Sequence, residues 1–301
     1  MQKELTAHTV LQWVTLASGA FNTRQICSEL NITTPEGKNN LRVILHRLCE
    51  SGVIARTAID GTYRRVDNEK KLIDWENADI TANIPIQLPF GLHNLCKVYP
   101  KSIIIVAGSK NEGKTAFLMQ CIKLNMGNFK IDFFNSETGP EQLKARFEQL
   151  AIPRPAPFTT YERYDNFADV TEPTYLSVID YLDLNAEVYM VGEEIDKIFR
   201  KLTTGCAIIG LQKPPPTVTF MKGVKKVIER DLAYGGGFTA KRAVIYVSLS
   251  NHRLKLVYCK TPMNPKVNPN NMQWSYGFDG NGFFTNIQPF HELNDDDSIL
   301  M

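Results

Sequence analysis

At 301 residues the chain has room for roughly two domains, and its 43% hydrophobic and 22% charged residues exclude a disordered or collagen-like make-up. A net charge of +2 says nothing of partners in bulk, so any nucleic-acid face must come from local clustering. The six cysteines are scattered without a C-x-x-C and the five histidines are dispersed, which argues against a disulfide framework or zinc site; with no basic-then-apolar leader and no apolar run near the roughly 18 residues of a span, the expectation is a reduced, cytoplasmic, soluble protein.

In residues 1–67, Val10, Leu11, Val14 and Ala17 recur at helical spacing, which predicts a helix over residues 8–20. Asn22-Thr23 caps a second, short helix. Thr34-Pro35-Glu36 opens a third, with Leu41, Ile44, Leu45 and Leu48 on one face and Ser51-Gly52 at its end. Residues 53–57 and 62–66 then alternate as strands around Asp60-Gly61, a hairpin signal. Three helices and a hairpin, with LHRLCESGVIART followed by GTYRRV, resemble a winged helix-turn-helix domain. That resemblance implies a third helix in a DNA major groove, with Lys38, Asn39, Asn40 and Arg42 near its start, and a wing whose Arg64 and Arg65 touch the backbone. The segment also carries Glu29, Glu36 and Glu50, and winged helices serve as protein-docking modules as well. Both duplex DNA and a protein partner stay open for this domain.

Residues 68–100 form a linker. Pro85 and Pro89 discourage helix there, and Trp75, Ile84, Ile86 and Leu88 are too apolar for a free tether. The expectation is a segment packed on the following domain or on a neighbouring subunit.

Residues 101–290 read as the second domain. Residues 103–107 are a short apolar strand, and residues from Ala116 onward read as a helix. Between them lies Gly108-Ser109-Lys110-Asn111-Glu112-Gly113-Lys114-Thr115, which fits the phosphate-binding pattern G-x-x-x-x-G-K-[ST] with both required flanks. The glycines let the backbone turn its N–H groups toward phosphate oxygens, and the helix N-terminus adds its positive end. Lys114 is placed to reach the β- and γ-phosphates and the Thr115 hydroxyl to hold Mg²⁺, so ATP with Mg²⁺ is the expected ligand. Residues 129–134 form a second strand, followed by Glu137 and a helix opened by Pro140. Residues 175–184 form another apolar strand carrying Asp180, with Asp183 beside it; a helix over 193–202 follows, then a strand over 206–211 ending in Gln212. This alternation predicts an α/β fold with a doubly wound, mostly parallel sheet. Strands over 244–249 and 254–260, then a hairpin over 273–284 around Asp279-Gly280-Asn281-Gly282, are expected to add C-terminal β-hairpins.

The order GSKNEGKT, FFNSETGPEQL, VIDYLDL, AIIGLQK resembles the RecA-like P-loop ATPases, closest to the branch of the DnaB-type and RepA-type hexameric helicases. The resemblance covers about residues 100–265. It implies that Glu137 polarises the attacking water, that Asp180 joins Thr115 at the Mg²⁺ shell, and that Gln212 senses the γ-phosphate. It also implies a homo-oligomer whose loops after Gln212 grip single-stranded DNA. Residues 213–237 have no strong periodicity but carry Lys222, Lys225, Lys226 and three glycines, as a flexible phosphate-tracking loop or a solvated lid would. One departure matters. The helicase branch has Lys-x-Arg after the last core strand as trans-acting cations; here Lys260 is followed by Thr261-Pro262, which leaves Lys260 with Arg253 or Arg242 as candidates. The helical collar of those helicases is replaced by the winged helix. Residues 291–301 form an acidic tail with an apolar end, either a partner-docking tip or a solvated tail. The chain thus reads as a DNA-associated, Mg²⁺-dependent ATPase, a helicase-like or recombination-type motor on single-stranded DNA; the alternative is a DNA-bound regulatory switch that recruits a partner without translocating.

Overall fold

The computed structural model describes residues 5–17, 19–67, 70, 72–180, 190–221 and 224–290, and the chain divides into two units, Met1–Ala78 and Asp79–Met301. In the first, each helix begins on a side chain that accepts one of its orphan amides. α1 (Ala7–Leu16) starts at Thr6, whose Oγ1 accepts the Thr9 N–H. A short strand, β1 (Ala20–Asn22), leads into α2 (Thr23–Glu29), where Asn22 Oδ1 accepts the Gln25 N–H. α3 (Pro35–Glu50) starts at Thr34, whose Oγ1 accepts the Gly37 N–H, with proline in the first helical turn. β2 (Ile54–Arg56) and β3 (Thr62–Arg65) form the hairpin, and β1 pairs with β3 to complete an antiparallel sheet in the order β1-β3-β2.

The helix expected over 8–20 therefore stops at Leu16. Gly19 has φ +76°, off the helical path, and Phe21 turns inward between Trp13 and Tyr63 instead. Val10, Val14, Ile26, Leu41, Leu45 and Ile54 close the core around Phe21. Asn40 donates its amide to the Leu5 carbonyl, so it braces α1 rather than standing free on α3.

The second unit is built on β4 (Ser102–Gly108), α4 (Lys114–Asn125), β5 (Ile131–Asn135), α5 (Pro140–Gln149), β6 (Thr159–Glu162), α6 (Phe167–Val170), β7 (Leu176–Asp180), α7 (Met190–Lys201) and β8 (Cys206–Gln212). After these come β9 (Thr217–Met221), β10 (Val224–Ile228), α8 (Gly237–Ala240), β11 (Ala243–Ser250), β12 (Arg253–Cys259), β13 (Gln273–Phe278) and β14 (Phe284–Phe290). A nine-stranded sheet runs in the order β14-β13-β12-β11-β4-β8-β7-β5-β6. Every pairing from β11 to β6 is parallel, and the three at the β14 end are antiparallel. The fold is α/β with a mostly parallel central sheet.

β4 shows why. All its residues are buried, and their period of two sends them to opposite faces. Ile104 and Val106 pack with Phe117, Leu118 and Cys121 of α4 and Leu143 of α5. Ile103, Ile105 and Ala107 pack with Phe167 of α6 and Val191, Ile195 and Ile198 of α7. β4 hands the chain to α4 on one face, while its neighbour β8 hands it on to α8, whose Ala240 packs on the other. The connections part at this point, and a crevice opens at the C-terminal ends of β4 and β8.

Three segments depart from the sequence expectation. The stretch expected to be an aperiodic loop over 213–237 contains the antiparallel pair β9–β10, a two-stranded sheet separate from the main one. β6 and α6 lie where no element is read from the sequence; β6 is exposed along its whole length, so it carries no apolar alternation. In the linker, Ile84, Ile86, Leu88, Leu92, Cys96 and Val98 are buried against the α4 face of the sheet. Trp75 is 73% exposed, contrary to its expected packing. Asp183, Lys222 and the 291–301 tail lie outside the described residues. No described helix is long and apolar enough to cross a membrane.

Candidate functional site

Gly108 ends β4, and α4 begins at Lys114; the loop between them is held from three sides. The Lys213 N–H donates to the Gly108 carbonyl at 3.0 Å and the Ser109 N–H to the Leu249 carbonyl at 3.2 Å. From the C-terminal strands, Tyr276 Oη donates to the Glu112 carbonyl at 2.8 Å, and the His252 N–H donates to Glu112 Oε2 at 2.9 Å. Gly113 has φ +84°, and a Cβ there would lie 2.4 Å from Phe278 Cζ and 3.2 Å from Phe284 Cε1. Only glycine fits both the backbone and the space. Phe278 and Phe284 belong to a ring cluster with Phe90 and Tyr276, so the hairpin β13–β14 is a rigid wall behind the loop. The Asn111 and Gly113 N–H groups have no partner among the described residues, as donors aimed at an anion require.

A cavity of about 410 Å³ opens in front of the loop. Its walls include Lys114 and Thr115 of α4, Glu137 after β5, Gln212 at the end of β8, Arg146 of α5, and Phe278, Asn281 and Gly282 of the β13–β14 hairpin. Glu137 is exposed, whereas Lys114 is 7% and Asp180 only 1% exposed. Asp180 ends β7, in register with Asn135 of β5. The Thr115 hydroxyl lies beside its carboxylate, and Oδ1 is buried with no hydrogen-bond partner among the described residues. Burial pushes its carboxyl up from the usual carboxylate range, with Lys114, the Thr115 hydroxyl and Arg146 opposing and Glu137 adding to the rise.

An orphaned buried carboxylate oxygen beside a threonine hydroxyl suits a hard cation, because oxygen ligands are what Mg²⁺ takes. Thr115 and Asp180 are the pair that fits it. Lys110 is exposed on the loop.

The other candidate residues lie elsewhere. Arg253 stacks over Phe290 at 3.9 Å. Arg242 pairs with Asp196 and lies over Phe199, so it is structural; against the cost of burial, Arg242 and Arg200 hold Asp196 below the usual carboxylate range. Lys260 donates its N–H to Val244, while Leu249 is the β11 residue level with Gly108. Those two positions are five residues apart along β11, about 17 Å, so Lys260 sits at the opposite end of the strands from this cavity. Lys225 and Lys226 are on β10. In the first unit, Lys38 and Arg42 line a groove of about 730 Å³ between α2 and α3 together with Arg24, which sequence reasoning passed over. Arg64 and Arg65 are exposed on β3, and Arg65 donates to the Thr15 carbonyl.

Sequence reasoning also missed Arg146 and the Phe278–Gly282 turn. Arg146 has one signal. It lies three residues after Leu143 and four before Leu150, both buried, so a cation stands on the packed stripe of an amphipathic helix.

No protein-family model matches the chain, and no curated protein does. Among solved structures, the crystal structure of the RadB recombinase matches over 62% of this chain and 91% of that one, with 13% identity and a TM-score of 0.41.

Proposed function

We propose that this chain is a Mg²⁺-dependent ATP hydrolase of the RecA-like type that works on DNA, nearest in kind to the DnaB- and RepA-type ring ATPases. The observation that carries the reading is the cavity at the β4–β8 crevice. A phosphate-loop sequence, Glu137, Gln212 and the Thr115–Asp180 pair converge there from four separate strand ends. Lys114 and the loop amides bind the triphosphate. Thr115 and Asp180 would hold Mg²⁺, which would supply positive charge against the triphosphate. Glu137 orients a water for in-line attack and takes its proton. Gln212 meets the γ-phosphate and reports its loss.

The route from Gln212 to DNA is short. Its carbonyl accepts the Tyr234 N–H at 3.0 Å, which closes the base of the β9–β10 hairpin. The next residue, Lys213, is buried and donates to Ser248 and Ser250 at 2.8 and 3.0 Å, and burial pulls its ammonium below the usual lysine range. Glu229 and Asp231, on the hairpin's return path, meet Asn251 and Lys255. The turn that holds Asn251 also holds His252, which binds Glu112 of the phosphate loop. Movement at the nucleotide therefore reaches the hairpin through two sets of contacts. These contacts support a motor on single-stranded DNA with Lys222, Lys225 and Lys226 as its grip; the reading adds a homo-oligomeric assembly and duplex contact by the N-terminal unit through Lys38, Arg42, Arg64 and Arg65.

Glu137→Gln tests the chemistry. The variant should bind MgATP with an affinity within a few fold of wild type and lose about 10²–10⁴ in turnover. Unchanged turnover removes Glu137 from the mechanism.

A further inference from the structure

We propose that Arg146 is the cation that completes this active site from within the same subunit, standing in for the trans-acting arginine that the chain lacks. The inference rests on the ATP hydrolase reading and adds to it a catalytic residue and its direction of action.

Three observations carry it. Arg146 lines the cavity with Lys114, Thr115, Glu137 and Gln212. It stands on the packed stripe of α5, half-buried, where amphipathic spacing calls for an apolar side chain. Among the described residues its guanidinium has no ion pair or hydrogen bond, although it acts electrostatically on Asp180. Of the trans-acting candidates, Arg242 shares Asp196 with Arg200, and Arg253 lies over the Phe290 ring. Lys260 sits at the far end of the strands from this cavity, so it does not serve it from within the same subunit. A partly desolvated arginine with no ion pair or hydrogen bond among the described residues, in that cavity, stands open to an anion. Its planar fork matches phosphoryl oxygens better than lysine's point charge does.

The step balances without a further reactant. The water oxygen forms a bond to the γ-phosphorus as the bond to the β–γ bridging oxygen breaks, and the electron pair stays on that oxygen of ADP. The water proton goes to Glu137 and from there to phosphate or solvent. Arg146 makes and breaks no covalent bond; it offsets negative charge that shifts onto the γ-phosphoryl and bridging oxygens.

The test compares the wild-type 301-residue chain with Arg146→Ala, Arg146→Lys and Arg146→Met, the last keeping the apolar stem's packing. MgATP binding is read with a fluorescent ATP analogue and turnover by phosphate release. The alanine and methionine variants should lose about 10²–10³ in kcat with binding within a few fold of wild type. Lysine should restore only part of the loss, and free guanidinium ion should raise turnover of Arg146→Ala but not of wild type. Mixing Arg146→Ala with Glu137→Gln should regain nothing, because a cis-acting arginine leaves every subunit defective. Wild-type turnover in Arg146→Met, a parallel collapse of MgATP binding in all three variants, or activity regained on mixing would each overturn the assignment. A wild type that binds no MgATP would overturn the hydrolase reading itself, and this inference with it.

Discussion

Charge is handled in opposite ways in the two units. In the cavity before the β4–α4 loop, Lys114 and Asp180 are almost wholly buried, and one Asp180 oxygen has no partner among the described residues. In the N-terminal unit Lys38, Arg42, Arg64 and Arg65 are exposed on the surface. Burying an ionised group costs several kcal/mol unless it is paired and hydrogen-bonded, whereas an exposed cation costs almost nothing. The ionised Asp180 carboxylate is therefore held at a cost in stability, as its raised carboxyl shows. The exposed set leaves no mark in the packing, and its role rests on a binding measurement alone.

The largest expected effect falls on the buried side. Lys114→Ala should weaken MgATP binding by at least about 100-fold, because the triphosphate loses its charge partner in a low-dielectric site. The secondary structure should be intact by circular dichroism. An unchanged affinity would break the comparison, since the buried lysine would then have no ligand.

Next comes Asp180→Asn. Turnover should fall by about 100-fold, and its dependence on Mg²⁺ should weaken. Without nucleotide or metal, the same variant should melt a few degrees higher, on the order of 1 kcal/mol. The sign follows from the raised carboxyl: its folded-state pKa lies above the unfolded value. Its contribution to stability is full below the unfolded value and is lost as pH rises through the folded one, so at neutral pH the ionised form opposes folding. The gain should shrink as the melt is taken to acid pH. A variant that melts lower at neutral pH would show that the buried carboxylate is structural.

The smallest effect is on the exposed side. Arg64→Ala with Arg65→Ala in the 301-residue chain should leave ATP turnover unchanged and flatten the salt dependence of duplex binding by up to about two units of log–log slope. No change in slope, or no duplex binding at low salt, would assign the N-terminal unit to protein docking.

The same contrast explains what could be read from sequence. Gly108–Thr115 is contiguous, and Asp180 and Gln212 each close a buried apolar run, with Glu137 just beyond another. In a parallel sheet, strand ends of one kind share an edge, so these residues meet without any contact having to be foreseen. Arg146 lies within a helix, and only its spacing from Leu143 and Leu150 sets it on the packed stripe; nothing in the sequence brings that stripe to the cavity. Phe278 and Asn281 reach the cavity only because β13 and β14 fold back past β12, a long-range arrangement that periodicity does not encode. The β9–β10 pair is masked by Pro214-Pro215-Pro216 and by adjacent lysines at 225 and 226, which break the alternation that announces a strand. Trp75 shows the limit of reasoning from apolar character, since it is exposed in this chain.

The most direct test of the central claim is phosphate release from ATP by the purified wild-type protein, with and without Mg²⁺ and with and without single-stranded DNA. The expected result is turnover that requires Mg²⁺, is slow alone, and rises several-fold or more when single-stranded DNA is added. Mg²⁺-dependent turnover that ignores DNA would favour the regulatory switch over the motor. No Mg²⁺-dependent phosphate release under any of these conditions would contradict the account of the cavity as an ATP-hydrolysing site.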